Sequence, residues 1–324
     1  MSTPSAEISE NEPQRAAATP VPRHLTRTAL LTLIRRELWE HASLWRVPLV
    51  VSGLLLLVAV PASINFHLDV DPDAPWFDSE HRAALFAVGE WILTVPQFLV
   101  MSIVLPFYLL DCLYAERKDR SILFWKSLPV SDGATVGSKL LAALVVVPLG
   151  LFVLQMITGL AFTAIWDSIA AARHTDAPVV WDSIAWIKLQ ALIFIEIVAA
   201  SLWYAPLAGY CLLVSAWARR NVFLWAVLPP ILAMILERMA FGTHYFGNLV
   251  GYRAGGVWEL LGLTDASAQS MLRFGEARVV SPSALLGHLD LIGFLTNIDL
   301  WLGLVVTGAF AFGAARIRRY RDDS

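Results

Sequence analysis

Six stretches of this 324-residue chain are apolar for long enough to cross a bilayer, and that limits the fold more than any motif does. A helix needs roughly 20 apolar residues to span about 30 Å of hydrocarbon. The backbone of such a segment must satisfy its own hydrogen bonds, because lipid offers none. The stretches are 47–66, 85–113, 140–166, 187–217, 222–236 and 298–315. The fifth is short, so it extends into 237–240 or adjoins a re-entrant piece. The expected fold class is an all-α integral membrane protein with six transmembrane helices. The balance of residues agrees: 57% are apolar, only 16% are charged, and mean hydropathy is +0.61.

Charge placement sets the expected orientation. Of the 24 Lys and Arg, 17 fall in the N-terminal stretch to Arg46, the 114–139 loop, the Arg219–Arg220 pair and the C-terminus. Basic residues stay on the cytoplasmic side. Both termini are therefore expected to be cytoplasmic. The net charge of −3 gives no reason to expect a nucleic-acid partner. The two cysteines, Cys112 and Cys211, lie in or beside apolar spans and fit neither a disulfide framework nor a metal site.

The chain divides accordingly. Residues 1–24 are polar, rich in Pro, Ala and Ser, and read as a disordered cytoplasmic tail without an apolar signal core. Residues 25–46 read as an amphipathic interfacial helix. Leu30, Ile34 and Leu38 share its apolar face, and Arg27, Arg35, Arg36, Glu37 and Glu40 supply the polar side. The six-span domain covers 47–316, with a cytoplasmic loop at 114–139 and an outer loop at 237–297. Apolar patches in the outer loop, such as "VWELLGL", are too short to cross and are expected to form short helices. Residues 317–324 form a cytoplasmic tail.

The densest charge lies in "AERKDRSILFWKSLPVSD", residues 115–132. Glu116 and Arg120 are four apart, as are Phe124 and Leu128, so a short amphipathic helix ending at Pro129 is expected. Its aromatic end, with Trp125 and Lys126, offers an exposed surface of the kind that grips a protein or headgroups. The plainer reading is a solvated connector. "DGATVGSK" follows at 132–139 and looks like a phosphate-binding loop. Only three residues separate Gly133 from Gly137, however, and Lys139 follows Ser138 instead of preceding it. The segment reads instead as a turn and helix start, capped by Ser131 or Asp132.

Zinc-hydrolase and serine-hydrolase signatures are absent, so no catalytic, cofactor-binding or metal residue is assigned. Glu196 is the clearest ionisable group within a span. Such groups face a partner or a wet cavity; the plainer reading is a hydrogen bond to a neighbouring helix or a place near the outer interface. Glu90 and Asp111 lie toward the ends of span two and read as interfacial. Prolines, among them Pro206, interrupt several spans.

"LIRRELWEHASLWRVPL", "DCLYAERKDRSILFWKSLPVSDGATVGSKLL" and "LWYAPLAGYCLLVSAWARRNVFLWAVLPP" resemble bacterial ABC-2-type exporter permeases, over most of the chain from about Leu31 to Pro230. The resemblance implies a multi-pass subunit of the bacterial inner membrane. It would dimerise with a second permease copy, identical or related, amid membrane lipids, and dock a separate cytoplasmic ATP-binding subunit that uses the ATP. It also implies that 25–46 is a surface elbow and that 116–128 is the coupling loop. Docking would then fall to Glu116, Arg117, Arg120, Phe124, Trp125 and Lys126, with Glu196 and Pro206 on the path. The competing class is a membrane scaffold or sensor using the same loop for another partner. A secondary transporter is a weaker third, since it usually needs more spans or paired charges at mid-membrane.

Overall fold

In the computed structural model, residues 27–65, 79–119, 121, 130–173, 182–263, 272–274, 277–279 and 281–320 are described. The described residues are almost wholly helical. Helix α1 (Arg27–Glu40) leads through a two-residue turn into α2 (Ser43–Asn65), and α3 (Ser79–Lys118) follows. Helix α4 (Asp132–Leu141) runs through one π-helical turn, Ala142–Val146, into α5 (Val147–Arg173). Helices α6 (Ser183–Trp203) and α7 (Ala205–Trp217) are joined at Tyr204. Then come α8 (Val222–Phe241), α9 (Tyr245–Leu260), a three-residue antiparallel hairpin of β1 (Leu272–Phe274) and β2 (Ala277–Val279), and α10 (Pro282–His288), α11 (Leu291–Thr296) and α12 (Ile298–Tyr320). Six of these helical runs are long and apolar enough to cross a membrane: α2, α3, α4–α5, α6, α8 and α12. The chain is a multi-pass membrane protein by this measure.

The spans match the apolar stretches, with ends that reach further. The third begins at Asp132, because Ser131 caps it by accepting from the Ala134 N–H at 3.1 Å. The fifth runs to Phe241 and closes on Gly242, whose φ of 65° only glycine adopts at little cost. Glu237 then turns inward to the next helix and accepts from the backbone N–H groups of Tyr245 and Phe246. The apolar patches of the 237–297 stretch are helices α9, α10 and α11. The fourth span is broken: Pro206 stands in the first turn of α7, where its missing N–H interrupts the ladder from α6.

Packing follows small residues. The most extensive helix pair is α7 with α12. A side chain at Gly209 would lie 3.3 Å from the Thr307 backbone, so glycine lets the two helices close. Two apolar clusters fill the interior. One gathers α6, α9, α10 and α12 around the fully buried Trp203. The other joins α3, the α4–α5 run and α7 around Leu113 and Leu212. By contrast α8 is bare: Phe223, Leu224, Leu236, Met239 and Phe241 all face outward, as lipid-facing residues do.

Candidate functional site: a buried ion network at the loop stems

Where α1 meets the ends of α3, α4 and α12, seven charged side chains are drawn together. Lys139 is fully buried, and its Nζ lies 2.8 Å from both Glu37 oxygens and 3.1 Å from Glu116 Oε1. Arg36 donates to Glu116 at 3.0 Å and to Glu40 at 2.7 Å. Arg318 pairs with Glu116 through Nη1 and with Asp132 through Nε, the latter at 3.1 Å. Tyr108 Oη donates to Glu37 at 3.2 Å, and the His41 ring stands edge-on to Tyr108. Four acids (Glu37, Glu40, Glu116, Asp132) thus meet three bases (Arg36, Lys139, Arg318), with Glu40 at the exposed edge. Buried charges persist only when paired in this way.

Local structure explains each position. On α1, Leu33 and Glu37 are one turn apart and both buried. Glu37 was expected on the polar, water-facing side; it instead faces into the bundle, because Lys139 reaches it from α4. Leu31 and Trp39, at other positions on α1, are exposed. The Arg36 guanidinium is pulled down by burial, but Glu40, Glu116 and Glu37 more than offset this and hold its pKa above the usual range. Burial, then the Lys139 charge, push the His41 imidazole below its ordinary 6.5.

The charged loop residues fare differently. Glu116 is buried in the network, engaged by Lys139, Arg36 and Arg318, so it does not face outward as a docking side chain. Helix α3 simply continues through it to Lys118. Arg117 turns sideways and donates to the carbonyls of Ser215 and Ala218, which close α7. Arg120, Phe124, Trp125 and Lys126 lie outside the described residues. The loop is therefore bracketed by Glu116 on one stem and Asp132 on the other, and Arg318 holds both.

A second polar group lies within the spans. Glu90 is buried on α3, eleven residues into the helix. Its nearest partners are Gln155 Nε2 at 3.4 Å and Gly159, where a Cβ would come within 2.6 Å of the carboxyl oxygens. Thr94 adds a contact to Gln155 at 3.3 Å, and among the described residues Gln155 Oε1 has no partner. Glu196 sits half-buried on α6 and, among the described residues, forms no hydrogen bond or ion pair. Pro206 packs toward Gly303 of α12. Nearby, Arg253 of α9 covers the Trp203 ring at 4.2 Å and donates to the Trp203 carbonyl at 3.4 Å, occupying the helix break. Asp111 is exposed and Cys112 is buried. The structure thus joins Pro206 to the α6–α7 break but does not place Glu196 in the ion network.

Among the described residues one triad, Glu37, Glu40 and His41, holds ligand atoms close enough for a metal ion. The donor set argues against that use. Lys139 already neutralises both Glu37 oxygens, and a cation there would face an ammonium 2.8 Å from its ligand. Compared with protein-family models, curated proteins and solved structures, the chain matches none.

Proposed function

We propose that the chain is the membrane permease subunit of an ATP-driven ABC-2-type exporter, with its 116–128 loop on the cytoplasmic face. A separate ATP-binding subunit docks there, and two permease subunits enclose the path between them. The observation that carries this reading is Arg318, which ties Glu116 and Asp132 together and so locks both stems of the loop to α12. A loop that only linked two spans would not need both stems fastened to a third helix by buried charge.

The same contacts supply a mechanism. A load on the loop moves α3 and α4 as one piece, because their stems share Arg318 and Lys139. Helix α12 moves with them through Arg318, and α1 follows through Glu37 and Arg36. Helix α7, closed on α12 at Gly209 and held by Arg117, is carried along. Motion then meets the break at Pro206, where α6 and α7 can change angle without breaking a continuous hydrogen-bond ladder. Glu196 lies seven residues from that end of α6, within the part whose exposure would alternate. ATP acts at second hand, by favouring one of two packings through the docked partner.

The test is to replace Arg120 and Trp125 together, leaving Arg117 to hold α7, and purify the variant from its native membrane. The proposal expects the ATP-binding subunit to be lost while the permease stays folded. Undiminished association and undiminished ATPase stimulation would sink it.

A further inference from the structure

A groove runs between α2 and the π-turn region of α4–α5, just beyond the ion network. Trp45, Pro48 and Leu49 form one wall; Val146, Gly150 and Leu154 form the other. Its volume is about 300 Å³. The two ends of the α5 wall are eight residues apart, so the groove is about 12 Å long at 1.5 Å per residue. At about 300 Å³ over that length its cross-section is about 25 Å², too narrow for a helix, which is about 10 Å across with its side chains. It suits a single hydrocarbon chain. Nothing lies within 4 Å of where a Gly150 side chain would begin, so the glycine leaves the space open.

The mouth of the groove is built differently from its walls. The Trp45 indole is fixed by its N–H, which donates to the Leu38 carbonyl at 3.2 Å. The exposed Arg46 guanidinium lies over that ring, 5.2 Å from its centre. Arg35 stands over Trp39 in the same way at 5.0 Å, one helix earlier. Among the described residues neither arginine is in an ion pair. Tryptophan and arginine at a helix end mark the headgroup layer. An apolar slot lined by Trp45 and Leu38 thus has the exposed Arg46 next to Trp45 and the exposed Arg35 three residues before Leu38 on α1.

We propose that this groove is a binding site for an anionic phospholipid, with one acyl chain between α2 and α5 and its phosphate at Arg46 and Arg35. The chain supplies affinity through buried methylenes, and the arginines supply preference for a negative headgroup. A lipid held there would brace α2 against the π-turn that follows Lys139, beside the network that fastens the loop.

The full-length protein, reconstituted in nanodiscs of phosphatidylglycerol and phosphatidylcholine with identical chains, is released into the gas phase and its retained lipids are counted. Wild type is expected to keep phosphatidylglycerol over phosphatidylcholine. Gly150→Phe fills the groove and is expected to lower retention of both about tenfold, the worth of roughly two buried methylenes. Arg35→Ala with Arg46→Ala is expected to abolish the headgroup preference and leave chain retention in place. Equal retention of the two lipids by wild type, or unchanged retention in Gly150→Phe, would overturn the proposal. So would a change in subunit number in Gly150→Phe with retention unaltered, which would put a second copy in the groove. Should Gly150→Phe not fold, quenching by chain-brominated phosphatidylglycerol is compared in wild type and Trp45→Phe. A quenching component that disappears with Trp45 supports the site, and identical quenching refutes it.

Discussion

Lys139→Met is the most informative single change. Lys139 is fully buried and touches both oxygens of Glu37, which is also fully buried, at 2.8 Å. Methionine keeps much of the volume and removes the charge. Glu116 then still has Arg36 and Arg318. Glu37 has only the Tyr108 hydroxyl at 3.2 Å and His41 at 4.0 Å. The damage therefore concentrates on one carboxylate left uncompensated inside the bundle. Breaking a buried pair in this way costs about 3–5 kcal/mol. For a chain of this size that corresponds to a fall in Tm of roughly 10 °C. Glu37→Gln in the same protein removes the orphaned charge. The double variant should recover most of the loss, since neutral replacements of buried pairs are often tolerated. The assay is thermal denaturation of the purified protein, followed by size-exclusion chromatography, for wild type, both single variants and the double. If Lys139→Met melts with wild type, or the two losses simply add, the network does not hold these helices together.

Three further outcomes follow from the same contacts. Arg318→Ala leaves Glu116 with two cations but frees Asp132, so it should cost less, about 1–3 kcal/mol, while hydrogen exchange at residues 116–132 rises clearly. His41 is held below its usual 6.5 by burial and by Lys139, so the unfolded chain binds that proton more readily than the folded one. Its contribution is present above pH 6.5 and is lost as pH falls below it; the drop in Tm between pH 7 and pH 5 should be smaller in His41→Gln. Gly159→Ala puts a methyl carbon 2.6 Å from the Glu90 oxygens; it should cost about 1–3 kcal/mol, and Glu90→Ala in the same protein should restore stability by making room.

What could be read in the sequence was whatever depends on residues near one another in the chain. Apolar runs located the six spans, because length and hydropathy are local. Ser131 as a helix cap was legible for the same reason. The ion network was not. Glu37 is separated from Lys139 by 102 residues, and Arg318 from Glu116 by 202. A charge on an amphipathic helix is placed toward water unless its partner is known, and so Glu37 was set on the wrong side of α1. Lys139 lay in a segment that looked like a phosphate loop; its real role is to neutralise carboxylates from α1 and α3. The meeting of Glu90 with Gly159 and Gln155 was not legible either, because nothing local joins α3 to α5. The signal that was available is the presence of Lys139 at the start of an apolar span, where an ammonium needs an acid to accompany it.

The central claim is that an ATP-driven partner grips the loop whose stems the network fastens. It is tested most directly by isolating the tagged chain from its native membrane under mild detergent and identifying by mass spectrometry what comes with it, with ATPase activity measured on the same sample. The account predicts a stoichiometric ATP-binding subunit and vanadate-sensitive hydrolysis, both lost when Arg120 and Trp125 are replaced together. A folded chain that carries no ATP-binding subunit and no hydrolysis would contradict it.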